Sequence, residues 1–204
     1  MNNPEAVYDT LFIGQRLQRK IEDFSQYEIQ FFAYFSCLLS LYEGNTVGEW
    51  MYSFVKTELG SPYSADIDFA IQTLNATRFI KPTENSKEYF TITEKGINFF
   101  KFQDENASIF SNRKKFLTTA CNTISLIPIG SIKEAITREP VLYSAGNSLT
   151  KRSLLEDSNP ATKVLHSQFK DLRIALEDKY HDLIVPAVVW LESLNTEKKE
   201  SIIA

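Results

Sequence analysis

The chain has 204 residues, 43% of them hydrophobic and 24% charged, a balance that excludes bulk disorder and bounds the protein to one domain or two small ones. A formal net charge of −4 excludes a generally basic nucleic-acid coat. The 15 Phe and 9 Tyr supply a substantial core and a sticky surface. Residues 4 to about 24 read as a helix, with Val7, Leu11, Leu17, Ile21 and Phe24 at mostly helical intervals and Arg16, Arg19 and Lys20 toward the other side. Ser25-Gln26-Tyr27-Glu28 is a capping box, in which the serine oxygen accepts a first-turn amide and the glutamate reaches back. The helix it opens runs to about residue 42 and is apolar nearly all round, so it belongs inside the protein.

Glu43-Gly44-Asn45 stops that helix, and Thr46-Val47-Gly48-Glu49 forms a second capping box. The spacing predicts a short helix after it that buries Trp50, Met51, Phe54 and Val55 and ends near Leu59-Gly60. Ser61-Pro62-Tyr63-Ser64 reads as a turn. A third helix is expected over residues 65–77, with Ile67, Ala70, Ile71 and Leu74 as its core stripe and Asp66 and Asp68 in the first turn, where the helix dipole favours them. The period then changes. Residues 78–81 read as a strand, 82–86 as a turn and 89–92 as a returning strand. Thr93-Glu94-Lys95-Gly96 starts another helix, carrying Ile97, Phe99, Phe100 and Phe102.

The order helix, helix, helix, strand, turn, strand, helix over residues 26–102 resembles the winged-helix family. The resemblance rests on Leu74-Asn75-Ala76-Thr77-Arg78-Phe79-Ile80, where a recognition-type helix runs into the first wing strand. It rests also on Tyr89-Phe90-Thr91-Ile92-Thr93-Glu94-Lys95-Gly96, which looks like the strand, Leu-Thr-x-x-Gly, helix exit of many such regulators. It implies a mainly α fold: a winged helix-turn-helix domain with a two-stranded wing, over residues 1–105 with the N-terminal helix, and a helical C-terminal extension over 106–204. In overall plan the chain is also similar to the middle subunits of Lamassu-type bacterial antiviral defence systems. Those subunits combine a winged helix with a helical extension and are associated with an ABC/SMC-like ATPase and an effector.

In the second half a helix is expected around Ile109, Phe110, Phe116, Leu117, Ala120 and Ile124. Ser131-Ile132-Lys133-Glu134 reads as a further capping box, opening a short helix that Pro140 ends. Residues 141–158 are Ser/Asn-rich and carry Lys151 and Arg152, the composition of an exposed loop. A long helix starts at Pro160, a favourable first-turn residue. On it Leu165, Phe169, Leu172, Leu176 and Leu183 form a seam, interrupted by Lys179, that packs within the chain or against another protein. Pro186 is expected to kink or break this helix, and a charged tail follows from Thr196.

The catalytic inventory is poor, and the expectation is a non-enzymatic protein without cofactor or metal. His166 and His181 are fifteen residues apart with no ligand-spaced neighbour. Asp171 with Glu177-Asp178-Lys179 has the composition of a nuclease motif, but in helical surroundings it reads as a solvated face. Cys37 and Cys121 lie in apolar stretches and read as buried thiols. The start of the chain lacks a signal peptide and residues 31–42 are too short to span a membrane, so a cytoplasmic address without membrane contact is expected.

Local charge bears on nucleic-acid binding. Residues 61–92 hold three bases, Arg78, Lys81 and Lys87, against four acids, Asp66, Asp68, Glu84 and Glu88, and the two aspartates sit where a groove-reading helix approaches phosphates. This favours an adaptor subunit that binds a protein partner or a second copy. The alternative is a DNA-binding transcriptional regulator that reads bases with Gln72 and Asn75, grips phosphate with Lys81 and Lys87, and dimerises through residues 160–194. The basic clusters Arg16/Arg19/Lys20, Arg113/Lys114/Lys115 and Lys151/Arg152 offer a second route to nucleic acid, away from the recognition helix.

Overall fold

The computed structural model describes residues 3–84, 86–106, 108–145, 153–156, 158–177, 179–180 and 182–203, with side chains through Thr196. The fold is mainly helical, with a small antiparallel sheet. Helix α1 (Pro4–Ile21) starts on Asn3, whose side chain accepts the Ala6 amide at 3.1 Å. It stops three residues before the predicted end. Glu22 turns the chain at φ 71, and Phe24 and Ser25 become strand β1 (Phe24–Ser25) instead of a last helical turn. Packing and pairing favour the strand: the Phe24 ring lies against Gly14, its Cζ 2.8 Å from where a Cβ would stand, and Phe24 pairs with Phe90.

Helix α2 (Gln26–Tyr42) is capped as the sequence predicts, with the Glu28 amide donating to Ser25 Oγ at 3.2 Å and the Ser25 amide to Glu28 Oε2 at 2.9 Å. Its residues from Glu28 to Tyr42 are buried, which makes it the central rod of the fold. Burial of each large side chain contributes about 1.5–3 kcal/mol. The next segment departs from expectation. The Thr46 capping box forms, but only a single 3-10 turn follows, over Val47–Trp50. Trp50, Tyr52 and Phe54 are buried while Met51 and Ser53 are exposed, a period of two that no helix can satisfy. The chain continues as a hairpin of β2 (Val55–Lys56) and β3 (Pro62–Tyr63), so the middle helix of the expected trio is absent.

Helix α3 (Ala65–Ala76) buries Ile67, Ala70, Ile71 and Leu74, as read from the sequence. Arg78 takes φ 60 and delays the strand expected from residue 78, β4, to Ile80–Pro82. Strand β5 (Tyr89–Ile92) has the predicted bounds and pairs with β4 on one side and β1 on the other, Phe24 facing Phe90. Helix α4 (Glu94–Asn106) buries Phe100 and stacks Phe99 on Phe79 at 4.6 Å, while Phe102 faces solvent.

Helix α5 (Ser111–Asn122) lies along α2 and buries Phe116, Leu117 and Ala120, whereas Ile109 is exposed. Helix α6 (Ile129–Thr137) begins two residues before Ser131, behind Pro128, so the predicted Ser131 cap is not used. Pro140 starts a helix rather than only ending one: α7 (Pro140–Ser144) is capped by Glu139. The stretch expected as an exposed loop is anchored at both ends. Val141, Leu142, Leu154 and Leu155 are buried, and the Leu154 amide donates to the Phe54 carbonyl at 2.7 Å. Lys151 and Arg152 lie outside the described residues.

Helix α8 (Pro160–Ala175) ends well short of the predicted point, and Pro186 sits in the first turn of α9 (Ile184–Ile203), where its missing N–H costs nothing. The expected tail from Thr196 continues this helix. The leucine seam closes inside the chain. Leu165 and Phe169 are buried, Leu172 and Leu176 are half-buried, and Leu183 is buried ahead of α9. The Phe169 ring meets Tyr42 at 5.6 Å and Trp190 at 5.2 Å, so this stripe is core rather than a surface for a partner.

Glu139 is fully buried. Its carboxylate accepts from Tyr34 Oη at 2.7 Å, from the Val141 amide at 2.9 Å and from the Leu142 amide. Burial pushes its pKa up to about 7, against the pull of those three donors. The folded chain therefore holds a proton that the unfolded chain has already released, and stability falls as pH rises through about 7. The expected loss between about pH 5 and pH 8 is about 2 kcal/mol. Urea midpoints at both pH values measure it, and Glu139→Gln should remove that part of the slope. An unchanged slope in the variant refutes the assignment.

Candidate interaction face

The exposed face of α3 adjoins the β4–β5 hairpin, and the two border one groove. Gln30 fixes the start of α3 by clasping Ser64 twice: its Nε2 donates to the Ser64 carbonyl at 2.9 Å and its Oε1 accepts the Ser64 amide at 2.8 Å. Asp68 gathers a second layer. Gln26 Nε2 donates to one carboxylate oxygen at 2.6 Å and Gln72 Nε2 to the other at 2.9 Å. Burial, then the neighbouring Asp68, pushes the Tyr63 hydroxyl up. Gln72 thus bonds to its own helix across one turn, at an exposed position.

What α3 presents outward is Phe69, 46% exposed, with Gln72 and Asn75 on the following turns. Asn75 and Lys87 line one groove between α3 and the β4–β5 hairpin, with Pro82, Thr83, Glu84 and Ser86. Lys81 is exposed on β4. The structure therefore brings Asn75 and Lys87 together.

The β4–β5 hairpin is locked at its root. Thr93 Oγ1 donates to the carbonyls of Arg78 at 2.8 Å and Phe79 at 3.1 Å, and it accepts the Gly96 amide at 3.1 Å. Lys95 lies over the Phe79 ring at 4.6 Å and donates to the Thr77 carbonyl at 3.0 Å.

The basic run after this unit is consumed by the fold. Arg113 is buried, and its guanidinium makes a bidentate pair with Asp9, Nε to Oδ1 at 2.9 Å and Nη2 to Oδ2 at 2.7 Å. It also stacks on Trp50 at 4.1 Å, and Tyr52 Oη donates to Asp9 at 2.6 Å. Burial pushes the Asp9 carboxyl up, while the guanidinium and the Tyr52 hydroxyl pull it back. Burial lowers the Arg113 pKa, but Asp9 more than restores it. Lys114 pairs with Asp104 at 2.7 Å, and Lys115 with Glu43 at 2.7 Å. Burial raises the Asp104 pKa, but hydrogen bonds from Lys114 and Tyr8 outweigh it and hold the carboxyl below its ordinary range. Of the basic cluster at 113–115, Arg113 is thus internal, whereas Lys114 and Lys115 stay about half exposed in their ion pairs. Sequence reading missed Asp9, whose signal was an acid set in the apolar stretch of α1.

Cys37 and Cys121 are buried free thiols; burial pushes Cys121 up to about 12 and Cys37 higher still. His166 and Asp171 are exposed on α8, Glu177 pairs with Lys179 beyond it, and Asp178 and His181 lie outside the described residues. Among the described residues no group of three His, Cys, Asp or Glu is placed to hold a metal, and no helix is long and apolar enough to cross a membrane. Comparison with protein-family models, with curated proteins and with solved structures finds no match to this chain.

Proposed function

We propose that this protein is a non-enzymatic adaptor, a winged-helix-like module that docks on a partner protein through the outer face of α3 and its wing. Phe69 carries the reading: a large aromatic side chain, 46% exposed, stands at the centre of the face where a DNA reader would place cations. Asp66 and Asp68 precede it, and the segment 61–92 holds more acids than bases. A winged-helix plan accommodates the order α2, α3, β4, β5, α4, with the 55–63 hairpin standing in for the middle helix. The likeness in plan to Lamassu-type middle subunits makes an ABC/SMC-like ATPase the first partner to try.

The alternative, a dimeric DNA-binding regulator, would need Gln72 free and the 165–183 seam open. Gln72 donates to Asp68, and Phe169 is packed against Tyr42 and Trp190. Two measurements separate the readings. Phe69→Ala should weaken a captured partner by about 2 kcal/mol, roughly 30-fold, with an unchanged melting curve. Random duplex DNA should give no binding at low salt. Affinity for duplex that falls steeply with salt and disappears in Lys81→Ala/Lys87→Ala would replace the adaptor with the regulator.

A further inference from the structure

A second surface, on the other half of the chain, has the opposite charge. Helix α8 places Lys163, His166, Lys170 and Arg173 at intervals of three and four, so they form one stripe about 15 Å long. The stripe flanks the buried face of Leu165 and Phe169 and borders a cleft of about 410 Å³ against the end of α2. The exposed apolar side chain of that cleft is Ile174, 66% exposed, while Leu41 and Phe169 close its floor from within the core. His166, Lys170 and Arg173 give it cationic and hydrogen-bonding walls. Lys163 and Lys170 are exposed and make no ion pair with any described residue. Arg173 stacks on Tyr42 at 5.0 Å, which holds its guanidinium at the rim. Glu177, the carboxylate in the cleft, is already paired with Lys179. These cations, with the exposed Asp171 as the one acid of α8, stand on a chain of net charge −4.

We infer that the α2–α8 cleft is a docking site for an acidic amphipathic helix of a partner protein. Charge complementarity selects an anionic occupant. The apolar lining selects a polypeptide over a phosphate backbone: a phosphate needs donors only, whereas a helix with leucines on one stripe and carboxylates beside it fills both parts of the cleft. Exposed ion pairs contribute little each, so the exposed Ile174 supplies the anchor and the cations set orientation and specificity. This inference goes beyond the α3 reading and does not rest on it. Together the two faces would let one chain bridge two partners.

The test uses the full chain and a fluorescein-labelled helical peptide with leucines on one stripe and glutamates flanking it, measured by anisotropy. Its counterpart with glutamine for glutamate, and a random DNA duplex, serve as comparisons. The acidic peptide should bind. The glutamine peptide should bind at least tenfold more weakly. Lys163→Glu/Lys170→Glu should lose at least tenfold, Ile174→Ser should also lose affinity, and Phe69→Ala should bind as the parent does. Circular dichroism checks that the variants remain folded; both lysines are exposed, so they should. The inference fails if the acidic peptide does not bind, if the double variant binds it equally well, or if duplex DNA binds the cleft more tightly than the peptide.

Discussion

Replacing Arg113 by alanine is expected to lower the unfolding free energy by about 3–5 kcal/mol, the range for breaking a buried ion pair from one side. Asp9 is fully buried, and its two oxygens are held by the Arg113 fork and the Tyr52 hydroxyl. Without the guanidinium the carboxylate keeps one donor, and its desolvation is no longer offset. The loss also removes the stacking on Trp50 and the hydrogen bond to the Trp50 carbonyl at 3.2 Å. These contacts join α1, the 50–54 segment and α5, so the variant loosens three elements together. Denaturant unfolding measures the effect. Asp9→Leu/Arg113→Met should cost clearly less than Arg113→Ala, since it leaves no buried charge alone. The same experiment discriminates on function: an arginine reserved for phosphate would tolerate alanine with an unchanged midpoint. An unchanged midpoint would return residues 113–115 to the candidate nucleic-acid surface.

The Arg113 result also marks where sequence reading runs out. Arg113, Lys114 and Lys115 stand in a row, and nothing local distinguishes the one that goes inside. The choice is made by Asp9, 104 residues away. Features written in short-range chemistry were legible: the Ser25 box, the all-round apolar α2, the four-residue stripe of α3 and the bounds of β5. Each follows from the repeat of apolar side chains or from one cap. The segment from Trp50 to Phe54 misled because its buried aromatics fit a helical spacing at 50 and 54. Tyr52 between them reveals the period of two, but only a core on one side makes that pattern decisive. Strand β1 has two residues and exists because β5 offers an edge. The break after α8 was hidden because Leu176 and Leu183 extend the seam in number though not in helix. For the α3 face, the sequence named Asn75 and Lys87 as separate contacts; that they line one groove, and that Gln72 bonds to Asp68, follow from the fold.

Gly96→Ala is expected to destabilise by about 3 kcal/mol, the upper part of the range for overpacking, and to act on the wing in particular. A Cβ at 96 would stand 2.1 Å from the Phe79 carbonyl oxygen and 2.8 Å from Ile92 Cγ2. The first of these is backbone and cannot rotate away. It is also the oxygen that accepts from both Thr93 Oγ1 and the Thr93 amide, so any retreat of the 79–80 strand start breaks the clasp between α3's exit and α4. Backbone freedom is not the reason for glycine here, because its φ lies outside the left-handed region; the need is space. Gly130 is the matched control: it lies in α6 with nothing within 4 Å of a new Cβ, so alanine there should be neutral or stabilising. Thermal melts of the two variants measure the contrast. Because β4 and β5 are registered through this junction, Gly96→Ala should also weaken partner binding at the α3 face more than its stability loss alone explains, while leaving peptide binding at the α2–α8 cleft unchanged. Equal melting temperatures for Gly96→Ala and the parent would mean that α4 can move off the strand freely. In that case the wing is not rigidly positioned, and the α3 face loses its claim to be a preformed docking surface.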